Sequence, residues 1–598
     1  MGGLHRIEHE ILGQLNPEQR EAVLDRSHTC VVNANVGSGK TTVLVAKLLY
    51  LRHMENIRFD RMIVLTFTHK AAEEVRRRLE EREGSLTPEE LSGFGTFHSV
   101  AYRLLKQFLP VEELGYTREF TVLLPEQELE LARELIRREG LRIKYPARLP
   151  KRLEAAVRLG SRSRDSVEGK RLDKLQDDIW LLAEALEREK RQRNTMTFRE
   201  LLVHGEALLR KYPIAPDWIV IDEVQDSDVQ QLAFLDALRG RDTRLFAVGD
   251  PNQIIYGWRG SSINACFTLA HRYGARELSL PVNYRSSSRI LEAAGRFKQY
   301  GDRLRGSREI QGRLRIRQAY DPLGEAYYLA EQIRCLREGG VAAGQIAIFY
   351  RLQAQAELLT DVFERERISY QVVTRRERDS GETYLEEQGI SLYEEDNWES
   401  TGMESSQASD VRLMTLHASK GMEFTHVFII GVNYGLIPLR SSGFEEEEEE
   451  RRLFFVGMTR ARDFLELSYY LQPGMPGVAS GESRYLQMIP ERLVERVDYI
   501  PGKPKAGCQE ARTEGEGDQA LQAPPGQSAR RETSENSVEN TAGQDSSGEQ
   551  FITRRVRHPK YGEGTVMEEN EEKVTVDFGE LGVKSFLKDF VVLDAAGT

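Results

Sequence analysis

Cysteine is scarce in this chain: four residues in 598, at positions 30, 266, 335 and 508, with no C-x-x-C pair. Spacing of that kind argues against a zinc ribbon, an iron–sulfur cluster or a disulfide framework, and suits a reducing, cytoplasmic location. Long apolar runs are missing too. No window approaches the roughly 20 apolar residues of a membrane span, so no membrane partner is expected. The opening "MGGLHRIEHEILGQLNPEQ" lacks a basic start followed by an apolar run, so no secretory signal is expected. An excess of positive charge is also absent, with 83 Lys and Arg against 95 Asp and Glu. A mean charge does not exclude a polyanion, because binding needs only a local basic groove. What is present is 40% apolar and 30% charged residues, in a chain too long for one core and therefore multidomain.

Short apolar segments alternate with helical patterns over most of the first 500 residues. "CVVNA", "MIVLTFT", "WIVIDEV" and "LFAVGD" read as buried strands of one α/β unit, and "IAIFYR", "YQVV", "VRLMTL", "HVFIIGV" and "FLELSYY" as strands of a second. Residues 99–196 turn helical, with Leu175, Ile179, Leu182 and Leu186 at helical spacing, which suggests an insertion within the first unit. Residues 501–550 are rich in Pro, Gly, Ser, Gln and charge and are expected to be a disordered linker. Alternation returns at 551–598, where Val574, Val576 and Phe578 are spaced by two, and a small β-barrel is expected.

Three stretches carry chemistry. "CVVNANVGSGKTT" nearly fits G-x-x-x-x-G-K-[ST], with Ala34 at the first glycine, then Asn35 and Val36. A strand, then a loop, then a helix is the context of a phosphate cradle. Gly37, Ser38 and Gly39 would turn backbone N–H groups toward phosphate, Lys40 would meet the terminal phosphates, and Thr41, followed by Thr42, would ligate magnesium. Asn35 is expected to tolerate unusual backbone angles in place of glycine, and Val36 to tighten the loop. In "WIVIDEVQDSD" an apolar strand ends in Asp222, a candidate magnesium ligand, and Glu223, a candidate base for the attacking water. A solvated acidic strand end is common, so the pairing with the loop matters more than either alone. "VGDPNQIIYGWRG" offers Gln253 as a γ-phosphate sensor, and Tyr256, Trp258 and Arg259 for stacking an unpaired strand.

Taken in order, these stretches resemble a superfamily 1 helicase of the UvrD/Rep/PcrA type. "LNPEQREAV" is similar to that family's Q motif, which implies adenine recognition by Gln19. "LTFTHKAAEEVRRRL" and "GTFHS" resemble DNA-contacting motifs, with Thr66, Phe67, Thr96 and His98 as the implied contacts. "NYRSSSRIL" brings Tyr284 to the adenine and Arg285 to the γ-phosphate, while "VRLMTLHASKGMEFTHVFIIG" puts His417 near the strand and Glu423 near the ribose. "EEERRLFFVGMTRAR" supplies Arg460 as an arginine finger from the other α/β domain. Phe198 in "NTMTFRELL" is a further implied stacker, with Thr197 where the family usually has Asp.

The resemblance implies two RecA-like domains, at 1–98 with 197–280 and at 281–373 with 411–500, and a helical insertion at 99–196. It also implies a Tudor- or SH3-like barrel at the C-terminus. The expected activity is ATP- and Mg²⁺-dependent 3′-to-5′ movement on single-stranded DNA, in repair or replication restart. RNA polymerase is the implied partner of the C-terminal module. The chain departs from the family at 374–410, where a short acidic segment stands in place of the large 2B subdomain. Translocation is therefore expected to be more secure than duplex unwinding. The competing reading is a polymerase-associated ATPase that remodels protein–nucleic acid complexes with little unwinding.

Overall fold

Apolar runs four to six residues long, bounded by turns and helices, leave strands no side facing water, and they form parallel sheets covered on both faces. The computed structural model describes residues 11–159, 170, 172, 175, 177–255, 265–373, 410–441 and 443–498, and the backbone of five short strands between 555 and 595. The chain divides into two units, 1–515 and 516–598.

The first sheet has six parallel strands in the order Phe94–Thr96, Met62–Thr66, Trp218–Ile221, Arg244–Gly249, Thr29–Ala34 and Arg276–Leu280. Alternate residues serve opposite cores. Val31, Ile63, Leu65, Ile219, Ile221, Leu245 and Ala247 share one cluster, and Val32, Val64, Val220, Phe246 and Val248 share the other. The C-terminal ends of these strands lie on one edge, the usual ligand edge of an open α/β sheet. The phosphate loop, Asp222-Glu223, Asp250, Thr66 and Thr96 all arrive there.

The second sheet has seven parallel strands in the order Tyr370–Val373, Val411–Thr415, Ile346–Tyr350, Phe424–Ile429, Ala461–Tyr470, Arg313–Ala319 and Glu495–Val497. It is likewise two-faced, with Ala347, Phe349, Val427 and Ile429 in one cluster and Ile346, Ile348, Phe428 and Phe464 in the other.

Helices Pro125–Glu139, Leu149–Leu159 and Ile179–Gln192 form a separate core around Leu135, Leu153, Ile179, Leu182 and Leu186. Leu175 lies in a turn before the last of these. Strand Thr121–Leu123 pairs in parallel with Thr195–Thr197 at the base of this helical group. Helix Phe97–Gln107 packs instead with the first sheet, through Val100, Ala101, Leu104 and Leu105. Cys30, Cys266 and Cys335 are all buried, and Cys30 and Cys266 are free thiols. No helix among the described residues is long and apolar enough to cross a membrane.

In the second unit five antiparallel strands form one sheet, in the order Val583–Leu587, Lys573–Asp577, Gly562–Glu569, Arg555–His558 and Asp594–Ala595. Val576 is in register with Val566, and Val574 with Phe586. Phe578 and the segments 374–409 and 501–550 lie outside the described residues.

One acid in the second sheet's packing titrates unusually. Glu325 on helix Pro322–Glu338 is buried, and its Oε2 accepts a 2.6 Å hydrogen bond from the Tyr470 hydroxyl. Burial, reinforced by nearby Glu466 and partly offset by the Ser468 and Tyr470 hydroxyls and by Arg317, pushes the Glu325 carboxyl up to about 7. A raised folded-state value gives stability that is complete below the unfolded carboxyl's range and is lost as pH rises through 7. The full loss is roughly 3 kcal/mol at 1.4 kcal/mol per pH unit. Thermal melts of the wild type should therefore fall between pH 5 and 8, and Glu325→Gln should flatten that fall. Equal slopes for the two proteins would disprove the assignment.

Candidate functional site

The strand Thr29–Ala34 runs into the loop 35–39, and helix Lys40–His53 follows. Gly37 (φ 63°) and Gly39 (φ 79°) take the left-handed conformation that glycine adopts without a Cβ clash. Asn35 does not: within the loop positive φ is confined to the two glycines, so the expected backbone role of Asn35 is corrected. Its contribution is hydrogen bonding, from N to Leu280 O at 3.1 Å and from Nδ2 to Pro281 O at 3.4 Å. Ala34 ends the strand in ordinary geometry, which is why that position needs no glycine. Val36 is buried, and its carbonyl accepts from Asn283 Nδ2 at 2.7 Å.

Lys40 Nζ meets Glu223 Oε1 at 2.6 Å. Burial opposes the lysine's charge, but Glu223, Asp222 and Asp250 outweigh it and hold the ammonium above its ordinary value. Burial likewise works against the Glu223 charge, and Lys40 and Lys420 overcome it, keeping that carboxyl low. Asp222 and Asp226 go the other way, since burial exceeds the help they receive and the Glu223 charge pushes both further up. Glu223 itself sits at φ 49°, a strained conformation for a residue with a side chain, costing on the order of 1–3 kcal/mol. Gln225 Nε2 donates to Glu223, and Gln225 Oε1 accepts from Asp250 N at 3.0 Å. Gln253 is buried, with Nε2 on Asp250 Oδ2 at 2.7 Å.

The second sheet supplies the opposite wall. Arg460 follows helix Phe444–Met458 and is buried; Nε donates to Val456 O at 3.0 Å and Nη2 lies 3.4 Å from Gln253 Oε1. Burial, with Arg285 nearby, lowers this guanidinium to about 9. Arg285 Nε donates to Glu423 Oε2 at 2.6 Å, and Arg462 Nη1 stands 3.6 Å from Glu423 Oε1. Two cross-cleft contacts were not anticipated from sequence. Lys420 Nζ pairs with buried Asp226 and donates to Gln253 O at 2.9 Å, and Arg452 Nε donates to Ile254 O at 2.8 Å. Both residues stand in stretches quoted above, yet a lysine or arginine beside better-known motif positions gives no sign of which carbonyl it will meet.

At the other end of the loop, Gln19 Nε2 donates to Ser38 O at 2.9 Å, while its Oε1 accepts from Asn16 N at 3.1 Å. Asn16 Nδ2 donates to the Tyr284 hydroxyl at 2.7 Å, and Tyr284 N donates to Gly37 O at 2.8 Å. The Tyr284 ring is left exposed. Thr41 and Thr42 begin the helix, and Arg78 Nη1 lies 3.5 Å from Thr42 Oγ1.

These groups fit a nucleoside triphosphate with a divalent cation. Gly37 leaves no room for a Cβ, which would fall 2.7 Å from Asn283 Nδ2. Ser38 Oγ is buried without a partner, and no carboxylate lies within ion-pair distance of Arg460 among the described residues. Asp222 and the Thr41 hydroxyl are the hard oxygen donors that a small divalent cation takes.

The residues expected to meet a nucleic acid strand are only partly gathered. Thr66 and Thr96 are register partners at the ends of adjacent strands. Thr66 Oγ1 donates to Thr68 O at 3.0 Å, and Thr96 caps helix Phe97–Gln107 by accepting from Ser99 N at 3.1 Å. Phe67 is half-buried against the second sheet's cluster. The His98 and Phe198 rings meet edge to face, with centroids 5.7 Å apart. Thr197 caps helix Phe198–Lys211 together with Glu200, so threonine preserves the cap that an aspartate would make. His417 is half-buried in the turn after Val411–Thr415. Tyr256, Trp258 and Arg259 lie outside the described residues.

Comparison with known proteins agrees with this geometry. The UvrD/REP helicase N-terminal domain matches residues 15–274, and the UvrD-like helicase C-terminal domain matches 278–377 and 388–472. DNA helicase II of Haemophilus influenzae and that of Escherichia coli are each 26% identical, covering 98% of this chain and 99% of theirs. The ATP-dependent DNA helicase PcrA of Staphylococcus epidermidis is 23% identical over 97% of this chain and 98% of its own. The Haemophilus alignment runs over 751 positions against a chain of 598 residues, so that relative carries stretches with no counterpart here. With both family domains matched in order over most of its length, the chain belongs to the UvrD/Rep helicase family.

Proposed function

We propose that the protein is an ATP-driven motor that moves 3′ to 5′ along single-stranded DNA in the cytoplasm, in repair or replication restart. The observation that carries this reading is Arg460. A guanidinium brought from the second sheet and buried against Gln253, with no carboxylate at ion-pair distance among the described residues, is costly unless an anion visits it. The terminal phosphate of ATP is that anion, and it enters only when both walls of the cleft are together.

The roles of the other residues follow from where they sit. Lys40, Arg285 and Arg460 neutralise charge on the transferring phosphate. Lys40 now rests on Glu223; drawn to the phosphates, it frees Glu223 to accept the proton of the attacking water. Thr41 and Asp222 would hold Mg²⁺, which supplies charge neutralisation between the phosphates. Gln19 and Tyr284 frame the adenine, and Glu423 the ribose. Lys420, Arg452 and Arg460 all grip residues 253–254, directly before Tyr256 and Trp258. That grip gives domain closure a direct handle on the strand. Thr66, Phe67, Thr96, His98, Phe198, Arg259 and His417 complete the proposed track.

Residues 374–410 replace the large 2B subdomain, so translocation outlasts strong unwinding. The C-terminal sheet, proposed to close as a Tudor-like barrel, is a tethered hook for RNA polymerase.

ATP hydrolysis should be slow alone and rise with single-stranded DNA. Lys40→Ala and Glu223→Gln should each lower kcat by about a hundredfold or more, and hydrolysis indifferent to DNA would remove the motor reading. On a 3′-tailed duplex, strand separation should be weak while displacement of a protein block from single-stranded DNA is efficient. Processive unwinding of long duplex by the lone protein would contradict the weak-unwinding part. RNA polymerase should be retained by the full chain and lost when 516–598 are removed; equal retention would place the contact elsewhere.

A further inference from the structure

The chain passes from the first sheet to the second through residues 281–287, between strand Arg276–Leu280 and helix Ser288–Ala294. This crossing is the hinge of any opening and closing of the cleft. It is also bonded to the phosphate loop along the loop's length. Asn35 N reaches Leu280 O at 3.1 Å and Asn35 Nδ2 reaches Pro281 O at 3.4 Å. Asn283 Nδ2 donates to Val36 O at 2.7 Å, and Tyr284 N donates to Gly37 O at 2.8 Å.

Asn283 is the centre of this seam. Its carboxamide is fully buried, so each end needs a partner. While Nδ2 holds the loop, Oδ1 accepts from Arg285 N at 2.9 Å and Ser286 N at 2.8 Å, fixing the turn that carries Arg285. One side chain therefore binds the phosphate loop and the backbone of a phosphate-facing arginine. The second fastening is apolar. Val36 is 1% exposed, and it belongs to the same cluster as Ile290, Phe297 and Leu314 of the second α/β half, not to the clusters of the first sheet. The close approach at Gly37, where a Cβ would also fall 2.9 Å from Arg285 Cβ, keeps the seam tight.

We propose that Asn283 and Val36 are positioning residues that join the phosphate loop and the interdomain hinge into one mechanical piece, so that release of the nucleoside diphosphate is coupled to parting of the two halves. The proposal rests on the reading of this cleft as an ATPase site. It explains the bulk of Val36 as an anchor in the neighbouring core.

The test uses the full chain, a fluorescently labelled ADP and stopped-flow release, with Asn283→Asp and Val36→Ala. Aspartate keeps the acceptor for Arg285 N and Ser286 N but turns an oxygen toward the Val36 carbonyl. Alanine shortens the anchor without touching a polar group. Release should quicken about tenfold in each variant, and the KM for ATP should rise by a similar factor. Both residues border the nucleotide, so kcat is free to change with them, and the coupling is read from release and KM together. Melting temperatures read in parallel identify a misfolded variant, in which case the other decides alone. Wild-type release from both folded variants overturns the tether, as does a fall in kcat with unchanged KM. A wild-type chain that fails to bind the labelled diphosphate overturns the ATPase reading instead.

Discussion

Lys40 and Glu223 stand largely out of water at the mouth of the first sheet, and each stays charged because the other is 2.6 Å away. Neither could be ionised alone at that depth without a large desolvation cost. The rest of the cleft is arranged around that constraint. Asp222 and Asp250 add to the field on the lysine, Lys420 reaches across to sustain the glutamate, and Asp226 takes the direct contact with Lys420. The pair keeps the Glu223 carboxylate ionised and the Lys40 ammonium charged, each occupying the other.

The two sheets serve this pair in different ways. The first delivers groups from the ends of adjacent parallel strands, so their spacing follows from the sheet and needs no further device. The second delivers positive charge across a gap: Arg460 to Gln253, Lys420 to Asp226 and Gln253, Arg452 to Ile254. Three cations gripping one short segment make the cleft responsive to the separation of the halves. A hinge hydrogen-bonded to the phosphate loop through Asn283 is the natural counterpart of that grip.

Much of this was legible in the sequence. Apolar runs such as "WIVI" and "IAIFY" could only be strands buried on both faces, and both sheets bear that out. Lys40, Glu223 and Gln253 were identifiable from residue types at strand and helix ends, Arg285 and Arg460 from the resemblance to helicase motifs, and the structure gathers all five in one cleft. Thr197 looked like a loss and is not, since a threonine cap satisfies the helix as an aspartate would. Asn35 looked like the loop's conformational device and is instead a hydrogen-bonding one.

The amino-acid sequence by itself determined the two-sheet architecture and which residues to look for in the cleft, because periodicity and motif order are local properties. Tertiary structure alone decided how those groups are held. Lys420 pairs with a carboxylate 194 positions away, Asn283 with a carbonyl 247 positions away, and Val36 fills a core built by the other half of the chain. Such partners meet only after both sheets have formed and packed, and no spacing within a single segment encodes which distant carbonyl or cavity a side chain will reach. "NANVGSGK" therefore reads from sequence as a slightly irregular phosphate loop, and from the fold as the place where loop and hinge are joined.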